Sequence, residues 1–106
     1  MTINELVQEA HGNAVKHGFW DPKPEFGTSV ALIHSEMSEA LEEVRAGRAA
    51  IWYGENEKPE GYAVELADAI IRICDLCGDM NVDLEKVIEL KMEYNASRPY
   101  RHGKKF

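Results

Sequence analysis

Residues 61–77 have the sequence GYAVELADAIIRICDLC, and this stretch decides the fold. Its apolar residues recur at the 3.6-residue spacing of an α-helix, and on a helical wheel they occupy almost the whole circumference. One stripe is left for polar side chains: Glu65, Asp68, Arg72 and Asp75. A helix that is apolar nearly all round is predicted to be central in its domain. Its acidic stripe should then face a cleft or the interior, where unpaired carboxylates are costly.

The same spacing predicts three other helices, over about residues 3–16, 28–46 and 83–97. A Thr or Ser cap should begin the second helix and Gly47 should end it, while Gly78 should stop the third. Asp83 is predicted to cap the fourth, which ends before Pro99.

No segment alternates like a β-strand, and residues 52–60 are predicted to form a surface loop. The predicted fold class is therefore all-α, a four-helix-bundle-like single domain over residues 1–106. Residues 99–106 are expected to form an irregular basic tail.

The chain is short, with 106 residues of which 44% are hydrophobic. A domain of this size leaves much apolar surface uncovered when it folds alone, so a homodimer or homotetramer is expected. No run approaches the roughly 20 apolar residues of a membrane span, and residues 1–10 do not resemble a signal peptide. We therefore expect a cytoplasmic protein without a membrane partner.

The net charge of −7 is unevenly distributed. Residues 91–106 carry five Lys and Arg against the single acid Glu93, which gives +4 there and −11 over the rest. An acidic body argues against binding duplex nucleic acid, which demands a basic surface. The basic end suits a smaller anion such as a polyphosphate.

The two cysteines, Cys74 and Cys77, form a C-x-x-C pair inside the apolar helix. A zinc site would need two more ligands, and a redox pair normally opens a helix after a strand. Both thiols are therefore predicted to be reduced core residues.

Two acid-x-x-acid pairs lie on consecutive predicted helices, Glu36 with Glu39 and Glu65 with Asp68. Three residues of helix advance about 4.5 Å, so each pair places two carboxylates on one face. Four carboxylates without a histidine are ligands for Mg²⁺ or Mn²⁺ rather than for zinc. The alternative from the residues alone is that the pairs are ordinary solvated acids, which are common in helices. Glu43 lies on the same stripe as the first pair and could extend it.

A known family shares these motifs. LIHSEMSEAL at residues 32–41, followed by ELAD at 65–68, resembles the E-x-x-E and E-x-x-D signature of MazG-like proteins, in the all-α nucleoside triphosphate pyrophosphohydrolase superfamily. The ending K-x-x-x-N-x-x-R-P at residues 91–99 resembles the close of short single-domain members, so the resemblance extends over residues 18–106.

The resemblance implies a bundle of four or more helices that forms dimers or pairs of dimers. It also implies Mg²⁺-dependent cleavage between the α and β phosphates of a nucleoside triphosphate, with a dNTP as the expected substrate. The products would be the monophosphate and pyrophosphate. The metal ligands, carried over residue by residue, would be Glu36, Glu39, Glu65 and Asp68.

Other candidate residues follow from the chemistry that such a reaction needs. Glu39 is the candidate carboxylate that orients and deprotonates the attacking water. The first candidate for stacking on a base is Trp20, and the secondary candidates are Phe19, Trp52 and Tyr53. An equal alternative is that these aromatic side chains pack to close the loops over the core.

A basic set near the end of the chain is the candidate phosphate-binding group. Lys91, Asn95 and Arg98 recur on one helical face and could donate to phosphate oxygens. The alternative is that these residues form an ordinary solvated face, whose basic charges at the C-terminal turn interact favourably with the helix dipole.

Three rival functions remain at this point. A phosphoribosyl-ATP pyrophosphatase would have a similar helical scaffold and chemistry. A non-catalytic helical module that binds nucleotide or a partner protein would use the same acids structurally. A di-iron bundle normally needs Glu-x-x-His pairs, and no histidine stands three residues after Glu36, Glu39 or Glu65.

Overall fold

The computed structural model describes residues 1–105, and Phe106, the last residue of the predicted tail, lies outside them. The chain is mostly helical, which confirms the all-α class. The α-helices in the described range are α1 (Ile3–Lys16), α2 (Phe26–Arg45), α3 (Tyr62–Asp79) and α4 (Leu84–Ala96). Shorter elements are strands β1 (Trp52–Tyr53) and β2 (Pro59–Glu60), and 3₁₀ turns at Glu55–Glu57 and Tyr100–Gly103.

The ends of the first two helices show which capping predictions hold. A capping box begins α1, in which the Thr2 side chain and Glu5 bond each other's backbone N–H groups. The Thr or Ser cap predicted for α2 is wrong, because the helix begins earlier, after Glu25, which makes no side-chain capping bond. Gly47 follows α2 with a φ of 73°, as its predicted role requires.

Gly78 does not end α3, contrary to prediction, because the helix continues to Asp79. The glycine is needed for close packing instead: a Cβ at Gly78 would lie 2.5 Å from the Cβ of His11 on α1. The positive φ of the turn, 54°, is taken by Asn81. Asp83 caps α4 as predicted, accepting a hydrogen bond from the backbone N–H of Lys86 at 3.1 Å.

Residues 52–60 form a small antiparallel hairpin rather than the predicted irregular loop. Trp52 pairs with Glu60 and Tyr53 pairs with Pro59. Strands of two residues are too short to produce an alternating sequence pattern, so periodicity could not have revealed them.

In the packing of the helices, α3 contacts both α1 and α2, whereas α4 packs mainly on α1. The buried core is small: Val7, Ala10 and Cys74 form one cluster, with Cys77 half-buried beside it, and Ala40 and Ala69 are also buried. Neither cysteine forms a disulfide, and the burial of Cys74, with Cys77 packed half-buried against the same cluster, agrees with their predicted place in the core.

The prediction that α3 is enclosed on all sides holds only in part. Ile70, Ile71 and Leu66 remain 53%, 45% and 40% exposed. The reason is that one chain supplies packing partners for only part of its circumference. The radius of gyration, 16.3 Å, also exceeds the about 13 Å of a compact domain of this length. Within the described residues, no helix has the length and apolar character needed to cross a membrane.

Candidate metal centre and adjoining cavity

Three of the four predicted metal ligands meet where α2 packs on α3. Glu36 from α2 and Glu65 and Asp68 from α3 each offer one carboxylate oxygen, and these oxygens lie within 4.8 Å of one another. Glu36 is buried, with 7% of its surface exposed, whereas Glu65 and Asp68 are half-buried. The i, i+3 spacing within α3 and the pairing of the two helices together produce this cluster, which we call the acidic cluster.

Glu39, the fourth predicted ligand, is exposed and lies outside this group of three. Its carboxylate is nevertheless close enough to Glu65 to help raise the pKa of that residue. Glu39 therefore lies at the rim of the acidic cluster.

A basic side chain that was not predicted as a site residue completes the cluster. The Nε of Arg72 donates a hydrogen bond of 2.8 Å to Oε1 of Glu36. Arg72 follows Asp68 by one helical turn on the polar stripe of α3, so its position on the helical wheel was the available signal. A charge-assisted bond of this kind offsets part of the cost of burying the Glu36 carboxylate.

Ionisation in the acidic cluster is strongly uneven. Burial, followed by hydrogen bonding with Glu36 and Glu39, raises the pKa of Glu65 to about 8. Burial and the negative charge of Glu36 also raise the pKa of Asp68. Glu65 consequently holds a proton at neutral pH when no cation is bound.

Glu36 behaves in the opposite way. Burial opposes its ionisation, but hydrogen bonds with Arg72 and Glu65 and the positive charge of Arg72 outweigh it and lower the pKa. An ionised Glu36 thus accepts a hydrogen bond from Arg72 and lies close to the protonated carboxyl group of Glu65. This arrangement relieves the repulsion between the carboxylates without a metal.

The donor set fits a hard divalent cation. It consists of carboxylate oxygens alone, the ligand type that Mg²⁺ and Mn²⁺ take. Three ionised carboxylates would repel one another, and a cation in place of the Glu65 proton would offset that repulsion. Glu36, Glu65 and Asp68 would hold such an ion, with Glu39 within reach at the rim.

A cavity of about 390 Å³ opens beside the acidic cluster, between α1, the 17–25 segment, α2 and α3. It joins the cluster to aromatic side chains, since its lining includes Glu36, Asp68, Arg72, Asp75, Phe19 and Trp20. Trp20, predicted to stack on a base, thus lies in the same cavity as two of the predicted metal ligands.

Trp20 is held in place by contacts that sequence reasoning missed. Its Nε1 donates to Oδ1 of Asp75 at 2.8 Å, and the Nδ1 of His11 lies 2.9 Å from the same oxygen. The rings of His11 and Trp20 meet edge to face, with centroids 5.3 Å apart. The position of Asp75 on the polar stripe was visible in the sequence, but its partners, 55 and 64 residues away, were not.

Other aromatic and acidic candidates are engaged elsewhere. Glu43 does not extend the acidic cluster, because it accepts hydrogen bonds from Trp52 and Arg48. Arg48 also lies over the Trp52 ring. Tyr53 is 69% exposed. Glu43 therefore anchors the hairpin segment to α2.

The predicted phosphate-binding residues lie apart from the cavity within one chain. Lys91 and Asn95 are in α4 and Arg98 follows it, and the cavity lining contains none of the three. Lys91 and Arg98 lie over the ring of Tyr94, at 4.9 and 5.4 Å. The Oδ1 of Asn95 is buried without a hydrogen-bond partner among the described residues. Their contact with phosphate stays a prediction.

We compared the chain with known protein families, curated proteins and solved structures. No protein-family model, curated protein or solved structure significantly matches the chain.

Proposed function

We propose that this protein is a Mg²⁺-dependent hydrolase that cleaves a nucleoside triphosphate, in the first place a dNTP, to the monophosphate and pyrophosphate. One observation carries the proposal: three of the four acids of the two acid-x-x-acid pairs meet in one acidic cluster, beside a cavity that is also lined by Arg72 and Trp20. A hard-cation site, a cationic donor and an aromatic ring are the groups needed to bind phosphates and a base.

The ion bound by the acidic cluster would be Mg²⁺, with Mn²⁺ as a substitute, and it would neutralise charge on the phosphate oxygens. Glu36, Glu65 and Asp68 would hold it, and the ion would take the place of the Glu65 proton in offsetting the repulsion between the three carboxylates. Glu65 must give up its proton for this, because a protonated carboxyl group is a poor ligand.

Glu39 is proposed as the residue that orients the attacking water and accepts its proton. It is the fourth predicted ligand, it lies outside the close group of three, and it is open to solvent. A carboxylate not fully engaged as a ligand keeps an oxygen free for that task.

Arg72 and Trp20 are proposed to position the substrate. The guanidinium of Arg72 has five N–H donors, so it can retain its bond to Glu36 and still donate to phosphate oxygens. The Trp20 ring, fixed by Asp75, offers a surface on which a base can stack. Lys91, Asn95 and Arg98 remain candidates for phosphate contacts.

A homodimer or homotetramer is proposed as the working assembly. The single chain exposes 8214 Å² of surface, against about 6000 Å² for a compact protein of 12.0 kDa. The excess, about 2000 Å², is larger than the about 800 Å² that each partner contributes to a standard interface. The exposed isoleucines of α3 are apolar enough to form such an interface.

In this proposal the chain is an all-α nucleoside triphosphate pyrophosphohydrolase of the MazG-like type. A phosphoribosyl-ATP pyrophosphatase is the second candidate, since the same cluster could serve that related substrate. A helical module that binds nucleotide without cleaving it is the third.

The test is release of pyrophosphate from the eight common ribo- and deoxyribonucleoside triphosphates, with Mg²⁺ and then with EDTA. We expect metal-dependent formation of monophosphate and pyrophosphate, with a loss of at least about 100-fold in Glu65→Gln. The matched control is Glu89→Gln, an exposed glutamate of α4, which should retain activity. Cleavage of phosphoribosyl-ATP alone would favour the second candidate. Nucleotide binding without cleavage would favour the third.

A further inference from the structure

We propose that Asp75 makes the cavity select nucleobases that present an amino group, so that cytosine is preferred to uracil and guanine to hypoxanthine. This inference rests on the proposed function and adds a specificity-determining residue to the same site. We identify Asp75 because one of its two carboxylate oxygens has no hydrogen-bond donor among the described side chains.

Asp75 combines a structural contact with a free acceptor. Its Oδ1 lies within hydrogen-bond distance of both Trp20 Nε1, at 2.8 Å, and His11 Nδ1, at 2.9 Å. Among the side chains that the structure describes, none donates a hydrogen bond to its Oδ2. The side chain is 21% exposed and lines the cavity. One oxygen thus fixes the Trp20 ring, and the other remains available to a ligand.

The position of Asp75 along α3 relates it to the acidic cluster. Asp75 lies seven positions after Asp68, which places it two helical turns further on the same face and about 10 Å along the axis. A nucleotide whose phosphates bind at the cluster would extend its sugar and base along this face. The base would then lie beside Trp20, with Asp75 at its edge.

The chemistry of a carboxylate decides which base edge it accepts. An ionised aspartate is an acceptor only, so it pairs with an N–H donor and repels a carbonyl oxygen. Cytosine presents an amino group where uracil has a carbonyl oxygen, and carboxylate side chains accept from that amino group in other contexts. Guanine has an amino group that hypoxanthine lacks. Stacking on Trp20 is insensitive to these differences, so the discrimination falls to Asp75.

The test compares kcat/KM for two substrate pairs, dCTP with dUTP and dGTP with dITP, in each of which only the first member carries the exocyclic amino group. We expect the amino-bearing member of each pair to be favoured by about 10- to 100-fold, the effect of one hydrogen bond to a charged group. Asp75→Asn keeps an oxygen for Trp20 and His11 but offers the base an amide donor. The dCTP to dUTP ratio should therefore fall at least tenfold.

The matched control is Asp79→Asn, one turn further along α3 and outside the cavity, where the ratio should not change. Direct titration of the Mg²⁺-loaded protein with dCMP and dUMP gives a second measurement that does not depend on turnover or on the fold of a variant. Tighter binding of dCMP supports the role of Asp75. Equal binding of both, or of neither, overturns it.

Failure of the two proposals can be distinguished. If no triphosphate is cleaved although dCMP is preferred to dUMP, the hydrolase proposal fails and the selectivity stands. If cleavage occurs with equal rates for dCTP and dUTP, or if Asp75→Asn leaves the ratio unchanged, the selectivity fails and the hydrolase proposal stands.

Discussion

Binding of Mg²⁺ is expected to displace the proton held by Glu65, so its affinity should depend steeply on pH. The pKa of Glu65, raised to about 8 by burial and by its acidic neighbours, means that the residue is mostly protonated at neutral pH. A metal ligand must be deprotonated, so each ion that binds to the acidic cluster releases this proton.

The size of the effect follows from that pKa. With a value of about 8, about 0.9 proton should be released per ion at pH 7. The apparent affinity should rise about tenfold per pH unit below pH 8 and become constant above pH 9, for a total of about 90-fold between pH 6 and pH 9.

Isothermal titration with Mg²⁺ in buffers of different ionisation enthalpy measures both the affinity and the number of protons released. Glu65→Gln has no proton to lose at this position and should bind more weakly, without the steep pH dependence. Glu89→Gln should retain the wild-type profile. An affinity that is the same at pH 6 and pH 8, with no proton released, would refute the assignment of Glu65 as a protonated ligand.

Three further predictions concern stability and substrate binding. Without metal, the contribution of Glu65 to the free energy of unfolding should be complete below its unfolded pKa of 4.5 and be lost as the pH rises to about 8. The slope of the unfolding free energy against pH should be at most about 1.4 kcal/mol per pH unit. Urea denaturation of the wild type and of Glu65→Gln at several pH values measures it. The same slope in both proteins would contradict the prediction. Arg72→Met should lower the free energy of unfolding by about 1–3 kcal/mol, because Glu36 loses its cationic partner. Mg²⁺ should restore part of this loss. Thermal unfolding that is unchanged by the substitution would show that the ion pair does not stabilise the fold. Trp20→Phe removes the N–H donor to Asp75 and should raise KM about fivefold with a smaller effect on kcat, whereas an unchanged KM in steady-state assays would place the substrate elsewhere.

The sequence predicted the helices well where a local signal determined them. The bounds of α1 agree with the predicted 3–16, because both its apolar stripe and its capping residues lie within or next to the helix itself. The end of α3 was predicted wrongly at Gly78, because the helix passes through that glycine where α1 packs closely against it. Packing against a segment distant in sequence therefore affects where α3 ends, and a local sequence pattern does not contain that information.

The candidate site divides in the same way. The two acidic pairs were visible because helical spacing alone places each pair on one face. The contact of Arg72 with Glu36, and that of Asp75 with His11 and Trp20, depend on how helices far apart in sequence pack. Sequence reasoning placed Arg72 and Asp75 on the polar stripe but could not identify their partners.

The polar stripe of α3 is costly to maintain in a chain with so small a core. Its acids are partly buried, and one of them needs a proton at neutral pH to avoid repulsion. Apolar residues of similar volume would often be as stable or more stable at such positions, so the charges are weak contributors to folding. Their order along the helix has a simpler relation to the proposed ligand: Glu65 and Asp68 belong to the acidic cluster, Arg72 lies one turn further on, and Asp75 follows beside the Trp20 ring. The proposed nucleotide, with a metal ion, phosphates and a base in that order, would give each of these charged groups a role that packing alone does not.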